Sequence, residues 1–161
     1  MIKRRTVGAL VAGGILASLL GSNVTLAGDD HHGNIDRFTI VERAVTDTVV
    51  DIGPAGMSLG DVLAFGNDMY DASNTTVVGR NQGSCSRTNL GVSWECNVTV
   101  LLPDGNIAGQ GAFLDNLATP TVLAVIGGTG KYRNARGQVT LQARNPQGTE
   151  FNFTFELTRE R

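Results

Sequence analysis

The chain reads as an all-β protein, a barrel or a sandwich, on three observations. Apolar and β-branched residues alternate at a period of two along most of the stretch after Arg37. Glycines and prolines, 21 and four of the 161 residues, punctuate these runs with turn chemistry. About eight such runs follow one another on short connections, and none of them repeats its apolar residues at helical spacing.

The N-terminus comes first and stands apart from that pattern. Lys3, Arg4 and Arg5 precede an apolar run over 7–20, and Thr25, Leu26 and Ala27 place small residues where signal peptidase needs them, so residues 1–27 read as a signal peptide. The apolar run is shorter than the ~20 residues of a membrane-spanning helix and contains Gly13 and Gly14. The expected product is a secreted, extracellular protein with no membrane association after cleavage. Cleavage removes three of the 13 basic residues and leaves 10 against 15 acids, a net charge of −5 that argues against a nucleic-acid partner.

Residues 28–36, GDDHHGNID, are polar and aperiodic and read as a disordered linker. Asp29, Asp30, His31 and His32 lie on this flexible tract, where the fixed geometry of a metal site is missing, and no metal is expected. These two histidines are the only ones in the chain. The folded part, residues 37–161 and one domain by size, therefore lacks the imidazole that Ser-His-Asp or Cys-His catalysis requires.

Within that domain Phe38, Ile40, Glu42 and Ala44 share one face of the first strand, with Thr39, Val41, Arg43 and Val45 on the other. β-branched residues continue to Val50 before Gly53-Pro54, which predicts a long first strand, bent or bulged. A second strand is expected over 60–65, followed by a turn-rich piece over 66–74. The third, 75–85, sets Val77, Gly79, Asn81, Gly83 and Cys85 on one face, and the fourth, 92–102, does the same with Val92, Trp94, Cys96, Val98, Val100 and Leu102. Pro103-Asp104-Gly105-Asn106 turns the chain into 107–113. Strands over 121–126, 138–143 and 151–157 complete the set, the last with the clearest alternation, Phe151, Phe153, Phe155 and Leu157 against Asn152, Thr154 and Glu156.

Gly127, Gly128, Thr129 and Gly130 lie between two of these strands. A nucleotide loop would need G-x-x-x-x-G-K-[ST] leading into a helix, whereas Lys131 is followed by Tyr132 and Arg133, so the segment reads as a strand-to-strand connection. Cys85 and Cys96 flank a turn at Asn89-Leu90-Gly91. In an exported protein a pair at hairpin spacing reads as a disulfide.

Residues 127–137, GGTGKYRNARG, resemble the signature of plant dirigent proteins, and the chain around it is similar to the allene oxide cyclase barrel superfamily. The resemblance spans about residues 37–157 and implies an eight-stranded antiparallel closed β-barrel, and a homotrimer. A barrel of eight strands is just wide enough for side chains or one small ligand. The stretch from Gly60 to Cys85 is similar to plant allene oxide cyclases at Gly60, Asp61, Phe65, Asn67, Tyr70, Asp71, Gly79, Gly83 and Cys85. In those enzymes the residue matched by Asn67 helps hold a water near the epoxide oxygen, and the one matched by Cys85 lines the pocket. The first strand departs from them. Thr39 and Val41 flank Ile40 where the cyclases carry a Glu and an Asn, so their carboxylate is absent from that place. Dirigent proteins instead guide the coupling of phenoxy radicals with aspartates near one mouth, and none of Asp47, Asp51 and Asp61 aligns clearly with these.

The expected function is binding of a small hydrophobic molecule, with guidance of its cyclisation, isomerisation or stereoselective coupling and no built-in cofactor. Asn67, Glu42 and Tyr70 are the catalytic candidates, joined by Tyr132 and Arg80 as possible polar groups, and Asn67, Cys85 and Trp94 are the ligand-binding candidates. The rival is a non-enzymatic extracellular carrier or structural barrel. An interior filled by Trp94, Leu102, Phe151, Phe153 and Phe155 would favour the rival. An open cavity above about 300 Å³ with Asn67 facing a carboxylate would favour chemistry.

Overall fold

The computed structural model describes residues 35–159. Ten strands, β1 Asp36–Arg43, β2 Thr48–Val50, β3 Val62–Phe65, β4 Asp68–Tyr70, β5 Val77–Asn89, β6 Ser93–Leu102, β7 Gly105–Leu114, β8 Thr121–Gly128, β9 Ala135–Ala143 and β10 Glu150–Arg159, are joined by loops and one 3-10 turn, Gly130–Tyr132. All the pairings are antiparallel. β1 pairs with β4 while β2 pairs with β3, and β3 and β4 both pair with β5, so β1–β2 and β3–β4 are each one interrupted strand. The ten segments are thus eight staves, and the β10–β1 and β5–β6 pairings close them into a barrel.

The interrupted first stave is the bent strand that the sequence predicts. The second differs from expectation, because the turn-rich piece over 66–74 contains β4. Its local residues favour a turn, but Met69 is fully buried and pairs with Glu42 and Gly79, and this packing draws it into the sheet. β1 begins at Asp36, one residue inside the predicted linker. The signal peptide and the rest of the linker lie outside the described residues.

Alternation sends Phe38, Ile40 and Glu42 inward, opposite Phe155, Phe153 and Phe151 on β10. The filling is uneven along the barrel. At one end Phe38 stacks on Phe155 with ring centroids 4.9 Å apart and meets Tyr132 at 6.3 Å. Tyr132 arrives there on the 3-10 turn, whose Gly130 has φ +55° and sits so close to the β6–β7 turn that a Cβ would collide with the Asp104 carbonyl. Lys131 N–H donates to Asp104 O at 2.8 Å and Thr129 N–H to Asn106 O at 2.9 Å. The glycine-rich segment is therefore the expected strand connection, and its small residues serve backbone-to-backbone docking.

Cys85 lies directly across from Cys96 and the two form a disulfide. Removing it with Cys85→Ser and Cys96→Ser frees a closed loop of about ten residues, and the unfolding free energy should fall by about 2 to 3 kcal/mol in a urea titration. Before reduction, a thiol reagent should label neither cysteine; labelling of both would contradict the bond.

Candidate functional site

The opposite end of the barrel holds a cavity of about 180 Å³. Leu63, Phe65, Phe113, Leu141, Phe151 and Phe153 contribute apolar walls, the Cys85–Cys96 disulfide lies among them, and the two carboxyl groups of its lining are Glu42 and Asp47. The cavity is smaller than the 300 Å³ expected of a ligand pocket, because Phe151 and Phe153 occupy interior space without closing it.

Glu42 is the centre of the polar chemistry. It is 6% exposed and sits where the first stave breaks, facing the break in the second. Its Oε1 accepts from Asn67 Nδ2 at 2.9 Å and from Asn81 Nδ2. Among the described residues Oε2 has no such donor and is not a buried unpartnered atom, which leaves it as the carboxyl oxygen open to the cavity. Burial pushes the Glu42 carboxyl above its ordinary 4.5; the two amide bonds oppose this, and the nearby Asp47 charge adds to it.

Asn67 holds the arrangement together. Its Oδ1 accepts from Val45 N–H, Thr46 N–H and the Thr46 hydroxyl at 3.0, 2.9 and 3.0 Å, and its Nδ2 donates to Asp47 Oδ1 at 2.8 Å as well as to Glu42. Its backbone N–H donates to Asn81 Oδ1 at 2.9 Å, which orients the second amide. The carboxamide is 1% exposed, fully engaged, and behind the cavity wall. Asn67 therefore positions two carboxyls instead of offering the free polar contact expected of a ligand-binding residue.

The other sequence candidates fall in different places. Cys85 lines the cavity. Trp94 does not: it lies toward the rim under Arg87, whose guanidinium carbon is 3.7 Å from its ring centroid, and its indole N–H donates to Asp115 at 3.0 Å. Tyr70 is also outside the lining, with Arg43 stacked on it at 3.8 Å. Arg43 donates to Asn74 Oδ1 and O, so alternation separates it from its neighbour Glu42, and among the described residues that carboxyl has no cationic partner. Arg80 pairs with Asp68 on the exterior at 3.6 Å, and Tyr132 belongs to the plugged end.

Sequence reasoning missed the roles of Asn81 and Asp47. Asn81 carried a signal, a polar residue on the same strand face as Cys85; Asp47 carried none, because it comes to Glu42 only through the break in the stave. Among the described residues no cluster of three or more His, Cys, Asp or Glu side chains is arranged to hold a metal ion.

The profile of the dirigent-like protein family matches residues 29–158, and the chain belongs to that family. No curated protein matches it in sequence. Among solved structures, a pyocyanin demethylase superposes with a TM-score of 0.63 at 23% identity, covering 74% of this chain and 100% of the other. AbnU, described as an exo-specific intermolecular Diels-Alderase, gives 0.61 at 18% over 78% and 98%. The pterocarpan synthase dirigent protein PsPTS1 gives 0.62 at 16% over 79% and 97%. At these identities the likeness is one of fold.

Two predictions follow from the polar group. Asn67→Ala removes the side-chain acceptor of the Thr46 amide and one of the two donors to Glu42, while Val45 N–H keeps Arg43 O and Glu42 keeps Asn81, and should cost about 2 kcal/mol in a denaturant titration; a loss below about 1 kcal/mol would mean water replaces the amide freely. The second concerns pH. The unfolded chain ionises Glu42 near 4.5 and the folded chain only at higher pH, so above 4.5 the folded state retains the proton longer and Glu42 lowers stability until its native pKa is passed. Asp71, held at about 2 by Thr75 N–H and the Ser73 hydroxyl, acts oppositely, adding stability as pH rises from about 2 through 3.8. Glu42→Gln keeps the acceptor oxygen and removes the proton. Denaturation midpoints of wild type minus E42Q should therefore fall as pH rises above 4.5, and a flat or rising difference would contradict the raised pKa.

Proposed function

We propose that this dirigent-like barrel is exported, binds a small hydrophobic molecule in the cavity, and guides its cyclisation, isomerisation or stereoselective coupling, with Glu42 as the acid. The observation that carries this reading is a carboxyl group aimed into an apolar cavity by two buried amides, with its pKa raised by burial. A neutral carboxylic acid there donates from Oε2 to a carbonyl, ether or epoxide oxygen. As negative charge develops on that oxygen the donated bond strengthens, while apolar walls hold the rest of the molecule in one folded shape. Asp47, at the exposed edge of the same group, accepts from Asn67 Nδ2 at 2.8 Å and lines the cavity beside Glu42.

The names of the solved structures are consistent with this class, since a Diels-Alderase and a pterocarpan synthase both act on small molecules. Export rests on the features of residues 1–27. A homotrimer is proposed from the family resemblance, with the outward residues Val122 and Ile126 of β8, 53% and 48% exposed, as an apolar face for it. A non-catalytic carrier would use the same cavity without needing the Glu42 proton.

One preparation tests these readings. The exported protein should begin at Gly28, have the mass of three chains by light scattering, and release a small hydrophobic compound on denaturation, identified by mass spectrometry. Glu42→Gln should slow conversion of that compound by about 10²-fold or more while changing its affinity less than about threefold. Full activity in E42Q removes the acid role; binding without any conversion by wild type leaves the carrier; and absence of binding removes both.

A further inference from the structure

The geometry points to Leu117, in the loop between β7 and β8, as the residue that sets how large a ring system the cavity admits; this rests on the reading of the cavity as the ligand site. In the barrel, β7 is the stave diametrically opposite the one that carries Glu42, four places away in either direction. The Leu117 side chain lines the cavity from the loop that follows β7 and reaches toward the β9–β10 loop at Gly148, beside Phe151, the residue paired with Glu42.

Leu117 is held in place on two sides. Its own loop is anchored at Asp115, whose carboxylate receives Arg87 Nη1 and Trp94 Nε1 and whose backbone N–H donates to Val92 O at 2.9 Å. Beyond it, Asn116 braces the turn by accepting from Ala118 N–H and donating to the Thr119 hydroxyl, both at 3.2 Å. The β9–β10 loop comes against it from the other side, and is braced in turn by Asn145, which accepts from Thr149 N–H at 3.1 Å and donates to its hydroxyl at 2.9 Å. At Gly148 φ is +67°, and a Cβ there would stand 2.7 Å from Leu117 Cδ1 and 3.5 Å from the Phe151 ring. The absence of a side chain at Gly148 is what leaves Leu117 room to lie at the cavity edge.

The volume then decides the ligand class. An apolar cavity of about 150 Å³ takes up benzene. At about 180 Å³ this one has room for a single six-membered ring with a short polar substituent, and on this reading a second fused ring meets Leu117. The ligand class is thus a monocyclic compound, or the monocyclic end of a larger one, with an oxygen acceptor directed at Glu42.

Acetophenone, 2-acetylnaphthalene and 2-acetylanthracene carry the same carbonyl on one, two and three rings and serve as probes in calorimetric titrations. Wild type should bind acetophenone more tightly than 2-acetylnaphthalene, against the trend of apolar area. Leu117→Ala should reverse that order and tighten 2-acetylnaphthalene at least tenfold. Leu117→Phe should weaken acetophenone at least tenfold, which keeps the test independent of any general loosening in the alanine variant. If wild type binds acetophenone and the order is the same in L117A, the size-setting role of Leu117 is wrong while the cavity reading survives. If none of the three ketones binds wild type or L117A, the cavity reading fails, and the role of Leu117 with it.

Discussion

A carboxyl group inside a barrel of aliphatic and aromatic side chains has to be hydrogen-bonded, and the Asn67 carboxamide is the group that meets this requirement for Glu42. The same amide accepts the backbone N–H groups of Val45 and Thr46, which the break between β1 and β2 leaves without ladder partners. One side chain thus closes a gap in two staves and places an ionisable group at the cavity. The broken strands and the site have a single cause. A continuous first stave would pair its amides with its neighbour and take from Asn67 Oδ1 the two backbone N–H groups it accepts.

The two ends of the barrel divide the remaining work. Tyr132, Phe38 and Phe155 pack their rings together at one end. At the other, Phe65, Phe113, Phe151 and Phe153 line a space that the protein does not fill, with the Phe113 and Phe151 rings in edge contact at 5.9 Å. Empty apolar space costs dispersion contacts, and a barrel of this size has few of them to lose. The disulfide between β5 and β6 lies in the wall of that cavity, where it braces two staves without relying on contacts from the interior.

Much of this architecture was legible in advance because a barrel wall obeys a strict local rule. Inward and outward residues alternate, so Phe151, Phe153 and Phe155, or Cys96, Val98 and Val100, announce their face from sequence alone. The interruption at Gly66-Asn67 was not legible, since short turn-forming residues look alike whether they end a strand or merely break it. Trp94 and Tyr70 carry a related ambiguity of signal. An aromatic residue on a strand signals burial against something, and here the guanidinium groups of Arg87 and Arg43 lie on the two rings.

The sequence by itself determined that the chain is all-β, that its strands close into eight staves through the family resemblance, that Cys85 pairs with Cys96, and that the described domain contains no histidine. Those properties follow from period, composition and a motif, all of which are local. Only the tertiary structure decided that Glu42 lines an apolar cavity, that Asn67 stands behind it with Asn81, that Asp47 joins them, and that Leu117 lines the same cavity from the β7–β8 loop. These residues come from staves and loops far apart in sequence, and closure of the sheet is the step that brings them around one space.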